Sequence, residues 1–133
     1  IAGEVTESTG LKGHVSNLDI DVDDVTEVLC RHESGTISSV HVNFLDRTYN
    51  RRARFVGSEG TITWEWGQPV RLLTPDGDAT TIWSDPDFDL NHTYLEEWLD
   101  FAGAIAEGGA PRTPGREGLR VLEIAESITR ETT

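Results

Sequence analysis

The chain predicts an α+β fold: a largely antiparallel, open-faced β-sheet with two C-terminal helices packed on one face. Three observations carry this. Apolar residues recur with period two as far as residue 83 and with a period near 3.6 after it. Glycine-containing turns join neighbouring strand segments over connections too short for parallel crossovers. Strands come first and helices last, the order of a layer with helices segregated to one face.

The elements follow in order. Residues 1–17 mix Gly, Ser and Thr with short apolar hits and predict one or two edge strands with loops. Asp19 to Asp24 alternates acid and aliphatic residues, a pattern expected of a solvated strand edge. It lacks the glycine and the distal glutamate of a calcium loop. Val25–His32 and Thr36–Leu45 are β-rich and flank Glu33-Ser34-Gly35, so they predict a hairpin. Strand parity places Val40, Val42 and Phe44 on a core face, and Ile37, Ser39, His41 and Asn43 on the opposite, semi-polar face.

Residues 51–56 and 61–66 predict two further strands around Gly57-Ser58-Glu59-Gly60. Ile62, Trp64 and Trp66 share a face too apolar to leave in water. Val70–Leu73 and Thr80–Trp83 flank Pro75-Asp76-Gly77-Asp78, a hairpin turn. Tyr94, Leu95, Trp98, Leu99, Phe101, Ala102 and Ile105 then form a helical stripe, with Asn91 or Thr93 as cap and Gly108-Gly109 as stop. Leu119, Val121, Leu122, Ala125 and Ile128 form a second stripe.

At 133 residues the chain predicts a single domain, 1–133, large enough to fold without disulfide or metal. Cys30 is the only cysteine, so no internal disulfide forms, and a reducing cytoplasm is the expected location. No apolar run reaches the length of a membrane span, and Ile1-Ala2-Gly3-Glu4 is no signal peptide. The net charge of −13, with Lys12 the one lysine, argues against nucleic-acid and anionic-membrane partners. Spread acidity with little lysine also fits a halophilic source. A GC-rich genome gives the same Arg-over-Lys bias, and stability in low salt against 2 M salt separates the two.

Familiar chemistry is sparse. Gly-Ser-Glu-Gly lies between strands and offers no helix N-terminus to a pyrophosphate, and no Gly-x-Gly-x-x-Gly loop exists. His14, His32, His41 and His92 are not at metal-ligand spacing with one another or with Cys30. No nucleophile elbow supports a serine triad. The most suggestive polar set is His41, Asn43, Asp46, Arg47, Tyr49 and Arg51, on and just after one strand. Such a set suits hydrogen bonding to a sugar or polyol; it equally suits an interface or plain surface. For Arg51, Arg52 and Arg54, pairing with internal carboxylates is the simpler expectation.

The succession of the Glu33-Ser34-Gly35 turn, Val40-His41-Val42-Asn43-Phe44 and Gly57-Ser58-Glu59-Gly60-Thr61-Ile62 resembles the C-terminal domain of the Gfo/Idh/MocA oxidoreductases. Tyr94 to Phe101, the Gly108-Gly109-Ala110-Pro111-Arg112-Thr113-Pro114 linker and Gly118 to Ala125 are similar in order, so the resemblance spans roughly residues 12–130. It implies an NAD(P)-dependent enzyme acting on a sugar, polyol or related hydroxyl compound. The cofactor, NAD or NADP, is implied for the full-length protein and not for this chain. That family carries its glycine loop and a Glu-Lys-Pro lysine on a preceding Rossmann domain, and neither motif is present here. Its Asp-x-x-x-His pair is not carried over, because Gly10 stands four residues before His14. The chain then supplies no catalytic, cofactor-binding or metal residue. It supplies part of the substrate pocket, with His41, Asn43, Arg47, Tyr49 and Arg51 as substrate-binding candidates, and a homodimer interface through the open sheet face. It is inactive alone. The alternative is a stand-alone, non-enzymatic dimerisation or interaction module.

Overall fold

The computed structural model describes residues 2–128. Ile1 and residues 129–130, the end of the family-like stretch, lie outside it. The class holds: seven strands, all paired antiparallel, precede two helices. The strands are β1 (Val5–Gly13), β2 (Val25–His32), β3 (Ile37–Asn43), β4 (Arg52–Gly57), β5 (Gly60–Glu65), β6 (Val70–Leu73) and β7 (Ala79–Trp83). The helices are α1 (Leu90–Glu107) and α2 (Gly115–Ser127). The single predicted sheet is instead two, ordered β1-β2-β3 and β4-β5-β6-β7. The break follows β3, where Asn43 Oδ1 accepts from the backbone N–H of Leu45 (2.7 Å) and Asp46 (2.8 Å). A side chain that takes two following amides turns the backbone away from strand pairing.

The chain forms two compact units, residues 1–47 with 112–133, and residues 48–111. In the first, β2 is central. Its even residues Thr26, Val28 and Cys30 register with Lys12, Gly10 and Ser8 of β1 and with Val42, Val40 and Ser38 of β3, so they share a face. Helix α2 covers that face along β1. Ile128 (2% exposed) joins Val28 (9%) and Cys30 (7%), with Val5 and Ile124 beside them. Full burial of a side chain such as Ile128 contributes about 1.5–3 kcal/mol.

Polar ties set the helix in place. Lys12 Nζ donates to Ala125 O (3.2 Å), where the last helical carbonyls lack intrahelical partners. The Arg120 guanidinium donates to Val5 O (2.6 Å) and to Glu123 (3.1 Å). Ser8 Oγ meets Ser127 Oγ at 3.0 Å. Gly10 leaves no room for a side chain: a Cβ there would stand 2.0 Å from Glu27 O.

Parity predicted the faces of β3 correctly but not their burial. Val40, Val42 and Phe44 are 46, 57 and 64% exposed, not core. One helix about 10 Å wide covers about two strands spaced 4.8 Å apart, and α2 sits on the β1 side.

In the second unit, Gly57 pairs with Gly60 around a two-residue turn. Gly60 has φ 154°, and a Cβ would lie 2.6 Å from Leu73 O, so only glycine admits β6 beside β5 here. Gly77 (φ 90°) closes the β6–β7 hairpin, donating to Thr74 O at 3.0 Å. Trp66 falls just beyond β5, edge-on to Tyr49 and Phe88 with ring centroids 5.2 Å apart in each pair.

Asp89, not Asn91 or Thr93, caps α1; its Oδ1 accepts from Asn91 N–H at 2.9 Å. The predicted stop holds: Gly108 is left-handed (φ 68°), and Gly109 N–H bonds Ala104 O. Helix α1 approaches none of the strands β4–β7 of its own unit. Its stripe is turned outward, with Trp98 69% and Ile105 68% exposed, while Asp100, Gly103 and Ala104 are half-buried. The predicted packing on a sheet face therefore holds for α2 alone within these units. No helix among the described residues is long and apolar enough to cross a membrane.

Candidate functional site

The strongest polar constellation grows from the cross-strand pair Glu27 and His41, which β2–β3 register places directly opposite each other. Glu27 Oε1 and His41 Nδ1 lie 2.5 Å apart, and His41 Nε2 is 2.6 Å from Asn43 Nδ2. The orientation of the chain of bonds follows from its fixed end. Asn43 Oδ1 is occupied as acceptor by two backbone amides, so Nδ2 must donate to His41 Nε2. Nδ1 then carries the proton and donates to Glu27. A carboxylate on one nitrogen sets the tautomer at the other.

Glu27 also lines an open hollow of about 720 Å³ beneath loop 14–23, with Leu11, His14, Leu18, Ile20 and Val22 among its walls. This is within the size of small-molecule sites. The hollow lies under a loop at the end of β1.

Asp24 holds that loop. It is 1% exposed, and it is neither a strand-edge residue nor solvated as the acidic run predicted. Val15 N–H donates to Oδ1 (2.8 Å), and the Ser16 N–H and hydroxyl donate to Oδ2 (3.0 and 2.5 Å). The Ser16 hydroxyl foremost, then the Val15 amide, hold its carboxyl below the usual carboxylate range; burial opposes them, and the Ser16 amide and the nearby His14 ring lower it further. His14 Nε2 lies 4.0 Å away and Nδ1 bonds Val22 O (3.1 Å), which fastens the far side of the loop.

The five predicted contact residues separate. His41 and Asn43 are brought together. Arg47 is exposed at the end of the same unit. Tyr49 and Arg51 belong to the other unit, Tyr49 against Trp66 and Arg51 through its carbonyl, which accepts from Trp66 N–H at 2.8 Å. Among the described residues no carboxylate pairs with Arg51, Arg52 or Arg54, contrary to expectation. Glu27 was missed. The signal was available, since a two-strand hairpin register puts it across from His41, but that register is set by the turn between the strands, not by composition. No group of three or more metal-type ligands occurs among the described residues.

No protein-family model matches the chain, and no curated protein does. A solved structure does: an oxidoreductase from Agrobacterium radiobacter in complex with NAD+, L-tartaric acid and magnesium. The TM-score is 0.76 at 20% sequence identity, over 96% of this chain and 41% of that one. The chain thus spans about two-fifths of the length of that oxidoreductase and has the fold of that part of it.

Proposed function

We propose that this chain is the C-terminal domain of an NAD(P)-dependent sugar- or polyol-type dehydrogenase of the Gfo/Idh/MocA kind. The observation that carries the reading is the fold likeness, which takes in nearly all of this chain but 41% of an NAD+-bound oxidoreductase. A Rossmann domain elsewhere in the protein supplies the nicotinamide and the hydride chemistry. This chain contributes one wall of the substrate pocket, and His41 and Asn43, with Glu27 behind His41, are its centre. Arg47, exposed in the same unit, is a further contact. A hydroxyl-bearing substrate suits this set, since a hydroxyl both donates and accepts, matching the Asn43 amide and the Glu27 carboxylate on either side of the imidazole. The semi-polar face with Leu11, Leu29 and Ile37, exposed by 58, 53 and 56%, is the proposed homodimer face. A reducing cytoplasm suits its free, buried Cys30.

Titrating NAD+ and NADP+ into the isolated chain tests the division of labour: no binding is expected, and micromolar binding would sink the reading. Light scattering at tens of micromolar tests the interface, with a dimer mass expected. A dimer that shows no effect of polyols on the His41 ring resonances would favour a stand-alone dimerisation module.

A further inference from the structure

The second sheet carries a basic groove on the face opposite its apolar one. Register places Arg52, Arg54 and Val56 of β4 across from Glu65, Thr63 and Thr61 of β5. Thr63 and Thr61 in turn oppose Arg71 and Leu73 of β6. Short threonines on the middle strand therefore lie between long side chains on both neighbours. The floor is Thr61 and Thr63, and the walls are Arg54 with Val56 and Arg71 with Leu73. Walls two strands apart stand roughly 10 Å from each other at the backbone, and Arg52 follows Arg54 by roughly 7 Å along its strand. Three guanidinium arms can thus reach one ion held over Thr63.

This cluster is at odds with its surroundings. The chain has 24 carboxylates and 11 basic residues. Yet Arg52, Arg54 and Arg71 are exposed, and none makes an ion pair among the described residues, even though Glu65 stands opposite Arg52. Val56 (71% exposed) and Leu73 (45%) continue the groove as an apolar end.

We propose that this groove binds a small organic anion carrying two or more negative charges on oxygen, a polycarboxylate or a phosphate ester, with its apolar part toward Val56 and Leu73. Guanidinium forks match such oxygens bidentately, and the threonine hydroxyls add donors beneath. Size and charge select against larger occupants. β6 pairs with β5 over three positions only, too short for an extended peptide. A polyanion such as nucleic acid meets long-range repulsion from this −13 chain that a small ion in salt largely escapes. This site is independent of the His41 reading and stands or falls without it.

Calorimetric titration of the 133-residue chain with citrate and, separately, with inorganic phosphate tests the proposal. Saturable binding of at least one is expected. Citrate alone would assign a polycarboxylate, and phosphate alone a phosphate ester. Arg54→Gln with Arg71→Gln should weaken binding about tenfold or more. Arg31→Gln with Arg116→Gln, which removes the same charge elsewhere, should change it less than about twofold. Arg54→Lys with Arg71→Lys keeps the charge, loses the fork and should fall between. No saturable binding of either probe, or equal weakening in both glutamine pairs, overturns the site.

Discussion

The two helices repay comparison. Helix α1 carries the larger apolar stripe, including Trp98 and Phe101, yet lies with that stripe exposed. Helix α2 has the smaller side chains, and Ile124 and Ile128 close over Val28 and Cys30. The difference is directional bonding. Lys12, Arg120 and Ser127 reach between α2 and β1 and fix one register of helix on sheet. Helix α1 makes no such approach to β4–β7. Hydrophobic burial is non-directional, so it favours coverage without choosing the cover. Polar ties choose it.

The two units also report separately. Trp64, Trp66, Trp83 and Trp98 all fall in residues 48–111, and the buried Cys30 falls in the other unit. Tryptophan fluorescence and Cys30 thiol labelling therefore follow different parts of the chain.

The largest expected effect is Gly10→Val. Its side chain would collide with the Glu27 carbonyl. A loss above about 3 kcal/mol is expected, at the upper end of single substitutions. Denaturant-dependent Cys30 labelling measures it; a near-wild-type midpoint would mean that β1 and β2 do not approach so closely.

Next, Ile128→Ala should cost about 2–4 kcal/mol by the same labelling. Trp98→Ala should stay within about 0.5 kcal/mol by fluorescence from the remaining tryptophans. A Trp98 cost as large as that of Ile128 would erase the contrast and show that α1 is covered in solution.

Acid should loosen the Asp24 loop. Its carboxyl is held lower in the folded chain than in the unfolded one, so its contribution is present above the unfolded value of about 3.9 and is lost as pH falls through the lower folded value. Asp24→Asn should flatten that part of the acid-stability curve and lower the melting temperature at neutral pH. An unchanged acid limb would remove Asp24 from its role as loop anchor.

The smallest stability effect belongs to Glu27→Ala, within about 1 kcal/mol for an exposed pair. Its signature is spectroscopic. Nitrogen NMR of the His41 ring should show the proton on Nδ1 in the wild type and a shift away from Nδ1 in the variant. The same tautomer in both would mean that Glu27 does not position the ring.

Much of the fold was legible because its cues are local. The Gly35, Gly60 and Gly77 turns, the change of period after Trp83 and the Gly108 stop each depend on a few neighbouring residues. The candidate site was half legible. His41 and Asn43 stood out as polar residues on a strand, whereas Glu27 is 14 positions away and joins them only through strand register. The acidic run misled for a similar reason. Asp24 reads like its neighbours in composition, and only the return of Val15 and Ser16 to its carboxylate makes it a buried anchor.

By itself the sequence determined the antiparallel α+β class, the order of strands and helices, and which residues share a face, because dihedral preferences and side-chain periodicity act over a few residues. Only the tertiary structure decided that the strands form two sheets, that α2 rather than α1 seals a core, that Val40, Val42 and Phe44 lie outside it, and that Arg52, Arg54 and Arg71 share one sheet face. Those outcomes depend on long-range register and on which polar groups meet, and neither is encoded in any short stretch of chain.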